Sequence, residues 1–145
     1  MTRRRYLRLA ASVFCASFDA SGGIKERYVV IVHPSNRFEA LSRSKVSYLF
    51  LRKVSRWPWG AEVVPLDLPD GEPIRRDFVR EVFGFSEEQL AEYWIDQRAT
   101  RGVSPPPGVR DAAAAKLQVA AKPGAIAYIP ASALDATVKV MRIDP

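Results

Sequence analysis

Apolar residues recur along the chain in two rhythms, and these divide it into elements. The run RYVVIVHP, Arg27 to Pro34, is continuous, β-branched and stopped by proline, which predicts a buried strand. SNRFEAL reads as a loop. Ser42 then stands as a cap before SRSKVSYLFLRK, where Val46, Leu49 and Phe50 fall at helical spacing. VSRWPWG predicts a rigid aromatic turn in which Trp57 and Trp59 pack. AEVVPLDLP is a second strand, and Pro65 marks it as an edge or an end. After the Asp70–Gly71 turn, PIRRDFVREVFG predicts a helix that starts at Pro73 and stops at Gly84. Ser86 and Gln89 form a capping box for the next helix, whose apolar face is Leu90, Tyr93 and Trp94, with Phe85 as a staple. TRGVSPPPGV is a Pro/Gly loop too short to divide domains. RDAAAAKLQVAAKPG is an alanine-rich helix ended by Pro-Gly, AIAYIP a third strand, ASALDA a single helical turn and TVKVMRIDP a last, alternating strand. Strands alternate with helices and no internal repeat occurs. The pattern predicts the α/β class: a single three-layer lobe with a small mixed, mostly parallel sheet of about four to five strands, flanked by helices.

Composition changes this picture at one end only. The chain of 145 residues is long enough for one domain with one core. Its net charge of +6 is uneven. The first twenty residues hold four of the 22 basic side chains, Arg3, Arg4, Arg5 and Arg8, and one of the 16 acidic ones, Asp19. What remains is an ordinary balance, with no basic run interleaved with aromatics, so the high isoelectric point does not indicate nucleic-acid binding. MTRRRYLRLAASVFCASFDA reads as an export signal: a charged start, an apolar stretch from Leu9 to Phe18, then small residues. TRRRYLR resembles the twin-arginine export motif. Residues 1–20 are therefore expected to be an export signal and residues 21–145 the single mature domain, located in the periplasm or otherwise outside the cytoplasm. No other apolar run approaches the ~20 residues that span a bilayer. Cys15 is the one cysteine and belongs to the export segment, so no disulfide is expected in the mature domain.

Catalysis finds little support. His33 is the sole histidine and sits at a strand end. No Cys/His metal cluster can form, and the nucleophile-elbow and glycine-rich phosphate motifs are missing. Asp67, Asp70 and Glu72 read as a solvated turn. No cofactor, no metal and no enzymatic activity are expected. Anion binding is the remaining chemistry, because backbone N–H groups at a helix start are unpaired and carry partial positive charge. Three loops would supply donors if they met on one edge of the sheet: Ser35 and Asn36 (with Arg37) after the first strand, Gly71, Arg75 and Arg76 after the second, and Arg101 with Gly102 after the third helix. The alternative for each arginine is a surface charge with its stem on the core.

The order of segments resembles the substrate-binding proteins of phosphate ABC transporters. The residues that carry the resemblance run from about Tyr28 to Ile143. They are VVIVHPSN, then LSRSKVSYLFLRKVSRW, VVPLDLPDG, and PGAIAYIPASAL followed by VKVMRI. The resemblance implies a periplasmic-binding-protein type II fold, two α/β lobes closing on phosphate. This chain corresponds to roughly one lobe plus the crossover strands and is similar to short, single-lobe relatives. In the family the second strand ends in a loop reading approximately Arg-Ser-Asp-Gly-Ser-Gly-Thr that grips the phosphate. Here Asp70 and Gly71 match, whereas Leu68 replaces the arginine, Glu72 the serine, Pro73 the glycine and Ile74 the threonine. Leu68 has no donor, Pro73 has no N–H, and Glu72 brings a negative charge. The family's grip is thus not carried by this loop. Arg52 is a second departure, standing where relatives have glycine, and it disfavours a left-handed turn.

The resemblance implies a non-catalytic, extracytoplasmic solute-binding-type protein, an accessory of phosphate uptake that takes inorganic phosphate or a similar anion. The donors expected are Ser35, Asn36, Arg75 and Arg101, with Arg76 adding charge and Gly71 allowing close backbone approach. The alternative is a protein–protein interaction module that has lost its ligand and pairs with a second copy or with a partner from the transport system through the WPW and PPP loops.

Overall fold

The computed structural model describes residues 26–145. The expected export signal and Cys15 lie outside the described residues. Five strands form one sheet: β1 (Tyr28–Val32), β2 (Ala40–Ser42), β3 (Val64–Pro65), β4 (Ala125–Pro130) and β5 (Lys139–Asp144), in the order β2-β5-β1-β4-β3. β1 is central and antiparallel to both neighbours, with Val30 opposite Tyr128 on one side and Met141 on the other. The edge strands are parallel to theirs, β2 to β5 and β3 to β4. The sheet is mixed, as expected, but its longest ladder, β1 with β4, is antiparallel, and parallel pairing is confined to the short edge strands. Strand direction follows from where the connecting helices release the chain, and residue patterns within a strand do not encode it. β2 lies inside the stretch read as a loop. Only Leu41 of its three residues is buried, and its pairing partner is about 100 residues away, so no local rhythm marks it.

The helices begin where capping residues place them. α1 (Arg43–Phe50) starts after Ser42, whose Oγ accepts from the Lys45 N–H at 3.3 Å. α2 (Pro73–Phe78) runs on into a π-helical turn, Val79–Phe83, and stops at Gly84, which takes a left-handed φ of 74°. α3 (Glu87–Arg101) opens with the complete Ser86–Gln89 capping box. α4 (Ala112–Ala121) is capped by Asp111. Tyr128 of β4 stacks on Phe78 with ring centroids 4.1 Å apart, and Phe50 meets Phe78 edge-on, so α1 and α2 cover that face of the sheet. Ile31 and Ile129 point to the opposite face and are equally buried; α4 packs on β1 and β4 there. The lobe is therefore three layers deep. Trp57 is buried against this core, stacks on Trp59 and donates from Nε1 to the Gly124 carbonyl at 3.0 Å, which confirms the WPW turn as a packing element.

Two backbone positions carry local constraints. Arg52 adopts a left-handed φ of 57°, the conformation that an arginine disfavours. The turn after α1 keeps its shape despite the missing glycine, held by the Lys53 N–H bonding to the Tyr48 carbonyl at 2.9 Å. Gly124 precedes β4 so closely against the neighbouring chain that a Cβ there would lie 1.8 Å from the Glu62 carbonyl oxygen. Gly124→Ala is expected to destabilise the domain by about 2–3 kcal/mol, because backbone and not a flexible side chain must give way. Chemical denaturation measures this; a change below about 0.5 kcal/mol would show that the Glu62 strand yields freely.

Candidate functional site

The loop between β3 and α2 is the best-defined polar site of the described residues. Pro65 ends β3, and the chain continues extended: the Asp67 N–H bonds to the Pro107 carbonyl and the Asp67 carbonyl accepts from the Val109 N–H. The PPPG segment thus closes back on the edge of the sheet. Asp70 and Gly71 turn the chain, with Gly71 in the left-handed region at φ 87° and the Glu72 N–H bonded to the Pro69 carbonyl. Pro73 then starts α2, and Arg75 faces inward from its first turn.

Arg75 is buried, its side chain 10% exposed, and its guanidinium is surrounded by carboxylates. Nε and Nη2 form a fork onto Asp67, the latter at 3.0 Å. Nη1 donates to Glu87 at 2.7 Å and lies 3.2 Å from Asp70. Asp67 is held from its other side by the Tyr128 hydroxyl, which also accepts from the Leu68 N–H at 3.3 Å. Burial works against the charge of Arg75, but the hydrogen bonds and charges of Asp67 and Glu87 overturn that effect and set its pKa above the ordinary arginine range. Burial, the Asp67 charge and the hydrogen bond to Asp67 raise the Tyr128 hydroxyl well above the usual phenol. Both groups hold their protons at every working pH.

An open groove of about 650 Å³ lies beside this cluster, lined by Asp67, Asp70, Arg75, Glu87, Glu88 and Trp94, among others. Its charge is acidic. An anion here would find the one guanidinium already committed and several carboxylates at its edge. At ~4 Å and an effective dielectric of ~20, each like-charge contact costs about 4 kcal/mol. No group of three or more His, Cys, Asp or Glu among the described residues is arranged to hold a metal.

The fold does not bring the six expected donors together. β1 is antiparallel to β4 and β3 is parallel to it, so the loops after β1 and β3 leave opposite ends of the sheet. Ser35 and Asn36 follow β1. Ser35 bonds to the His33 ring at 2.7 Å, and Asn36 is buried, its Oδ1 accepting from the Phe38 N–H and its carbonyl from Lys139 Nζ. Gly71 and Arg75 sit at the far end. Arg76 follows Arg75 but is exposed and makes no ion pair with a described residue. Arg101 ends α3 and bonds to Gln97 at 3.3 Å. That is about 20 Å of helix from Glu87, by the axial rise of 1.5 Å per residue. Of the residues read as a solvated turn, Asp70 and Glu72 are exposed, Asp70 lying 3.2 Å from Arg75, whereas Asp67 is half-buried as the partner of that cation. Glu87 and Tyr128 carried no local signal for this role, being 20 and 61 positions beyond Asp67.

No family model matches the sequence, and no curated protein matches it. Solved structures do match the fold. A phosphate ABC transporter substrate-binding protein from Clostridium perfringens, solved with bound phosphate, superposes with a TM-score of 0.63 at 24% identity, over 82% of this chain and 45% of that one. An ABC-type phosphate transport receptor from Vibrio cholerae gives a TM-score of 0.65 at 14% identity, over 81% of this chain and 46% of that one. A possible phosphate binding protein from Planctomyces limnophilus gives 0.62 at 13%, over 82% and 42%. The chain thus has the fold of the phosphate ABC transporter substrate-binding proteins, as a single α/β lobe. It spans less than half the length of the structures it matches.

Proposed function

We propose that this chain is a non-catalytic, solute-binding-type accessory protein that works outside the cytoplasm in the uptake of phosphate or a related anion. The observation that supports it is the fold: more than four-fifths of the chain superposes on proteins of phosphate transport. In the loop that by resemblance corresponds to their phosphate loop, Arg75 is paired with Asp67 and Glu87, which favours a part in uptake that does not rest on a phosphate held at residues 68–74. Removing the protein from its source cells is expected to slow phosphate uptake, and fractionation to recover it outside the cytoplasm. Uptake that is unchanged in the depleted cells would overturn this reading.

The second reading is an interaction module, favoured by the same closed and acidic loop. It predicts a concentration-dependent mass in sedimentation, or capture of a component of the transport system. A strictly monomeric chain that captures no such component would remove it.

A further inference from the structure

Between β1 and β5 the sheet opens. Their ladder runs from the Val32–Lys139 pair to Val30–Met141 and stops, although β1 extends back to Tyr28 and β5 on to Asp144. Beyond that point β5 is paired only along its other edge, with β2. The two strands splay, and a groove of about 630 Å³ lies between them and the π-helical turn after α2. That is within the range of small-molecule pockets, roughly 300–1,000 Å³. Its floor is aliphatic, including the buried Val30, Val82 and Met141. Its rim carries four arginines, Arg27, Arg43, Arg80 and Arg142, against one carboxylate, Glu81.

The fold uses only part of this charge. Arg80 reaches Asp77 at 3.0 Å and Arg142 reaches Asp144 at 3.0 Å. Glu81 accepts from the Tyr28 hydroxyl at 2.6 Å. Arg27 and Arg43 are exposed and make no ion pair with a described residue. Arg43 is moreover the first residue of α1, whose first turn contains no acidic residue and adds Lys45. Cations at the positive end of a helix are disfavoured by its dipole. Stability of the apo fold therefore does not explain Arg43; a bound anion would. All four cations are arginines, whose planar fork matches phosphate oxygens two at a time.

We propose that the groove between the splayed ends of β1 and β5 binds an organic phosphate monoester, its dianionic head held by Arg27 and Arg43 and its apolar body laid on the aliphatic floor. Glu81 stands at the rim as a competing internal anion, tethered by Tyr28. The site shares no lining residue with the closed acidic loop, so the inference holds whether or not the protein serves phosphate uptake.

The test is titration of the full chain with phenyl phosphate, alongside inorganic phosphate and phenol as its two halves, followed by calorimetry and by NMR shift mapping. Phenyl phosphate is expected to bind saturably and at least about tenfold more tightly than either half, with shifts at Tyr28, Val140 and Ile143. The Arg27→Gln, Arg43→Gln double variant is expected to lose at least about tenfold in affinity, the scale of one or two charge-assisted hydrogen bonds. Glu81→Gln is expected to bind more tightly, since it removes the competing charge. Circular dichroism checks that each variant folds, and because both arginines are exposed their single variants repeat the test if the double variant does not. Absence of saturable binding, affinity unmoved by the arginine variants, or shifts centred on residues 67–75 would each overturn the proposal.

Discussion

Arg75→Met is expected to cost about 3–5 kcal/mol of folding stability, the scale for breaking a buried ion pair. The methionine fills much of the space of the arginine stem but leaves Asp67 and Glu87 facing each other, partly buried, with no cation between them. For a domain of this size the loss corresponds to a fall in Tm of roughly 10–20 °C. The cost arises mainly from the carboxylates left behind, so their neutralisation should recover part of it. Adding Asp67→Asn and Glu87→Gln to Arg75→Met is expected to return a substantial fraction of the stability, although Arg75→Met has already removed every bond described for the guanidinium, that to the exposed Asp70 included. Thermal unfolding of the single and triple variants decides the matter. A loss below about 1 kcal/mol for Arg75→Met would mean that the cluster is solvated and contributes like an ordinary surface pair. The same experiment bears on function, because it measures how firmly Arg75 is committed to its own carboxylates.

Tyr128→Ala carries the second large effect, again about 3–5 kcal/mol. Tyr128 is 1% exposed, stacks on Phe78 and lies 6.0 Å from the Phe50 ring centroid, so its removal opens a cavity at the centre of the layer formed by α1, α2 and the sheet. Tyr128→Phe separates packing from polarity. It keeps the ring and removes only the hydroxyl, which leaves Asp67 and the Leu68 N–H each short of a partner; about 1–3 kcal/mol is expected. Because the hydroxyl and Arg75 act on the same carboxylate, the two changes should not add. A double-mutant cycle of Tyr128→Phe with Arg75→Met is expected to show a coupling of at least about 0.5 kcal/mol. Strict additivity would separate the aromatic core from the ion-pair cluster and remove the argument that β4 anchors the loop.

The geometry also shows how the loop keeps its shape without the donors that the resemblance implied at residues 68–74. Leu68, Pro73 and Ile74 replace donors by apolar or N–H-free residues, and two of them, Leu68 and Ile74, are buried in the core. The turn itself, Pro69 to Pro73, stays exposed between these two buried anchors. The charge of Arg75 is turned inward as well, met by Asp67 and Asp70 of the loop and by Glu87 of α3. The unspent positive charge lies elsewhere, along the groove between β1 and β5, at the other end of the π-helical turn.

Much of the architecture was legible in short windows of sequence. The continuous apolar runs at Tyr28–Val32 and Ala125–Pro130 became the two central strands because β-branched and aromatic residues buried on both faces can stand nowhere else. Ser42, Pro73, Gly84 and the Ser86–Gln89 box set the ends of helices, since capping is a local exchange between a side chain and the nearest unpaired N–H groups. The order of these elements was enough to suggest a binding-protein lobe. The candidate site depended on information of another kind. Whether Ser35 and Arg75 meet is decided by the direction of β1 relative to β4, which no residue in either loop records. Whether Arg75 is a free donor or a buried, paired cation depends on Asp67, Glu87 and Tyr128, which only the folded chain joins into one hydrogen-bonded network. Local sequence determines elements because their forces act over a few residues. Charge pairing and strand direction act through space, and for this protein they decided which arginines are buried in ion pairs and which stand exposed.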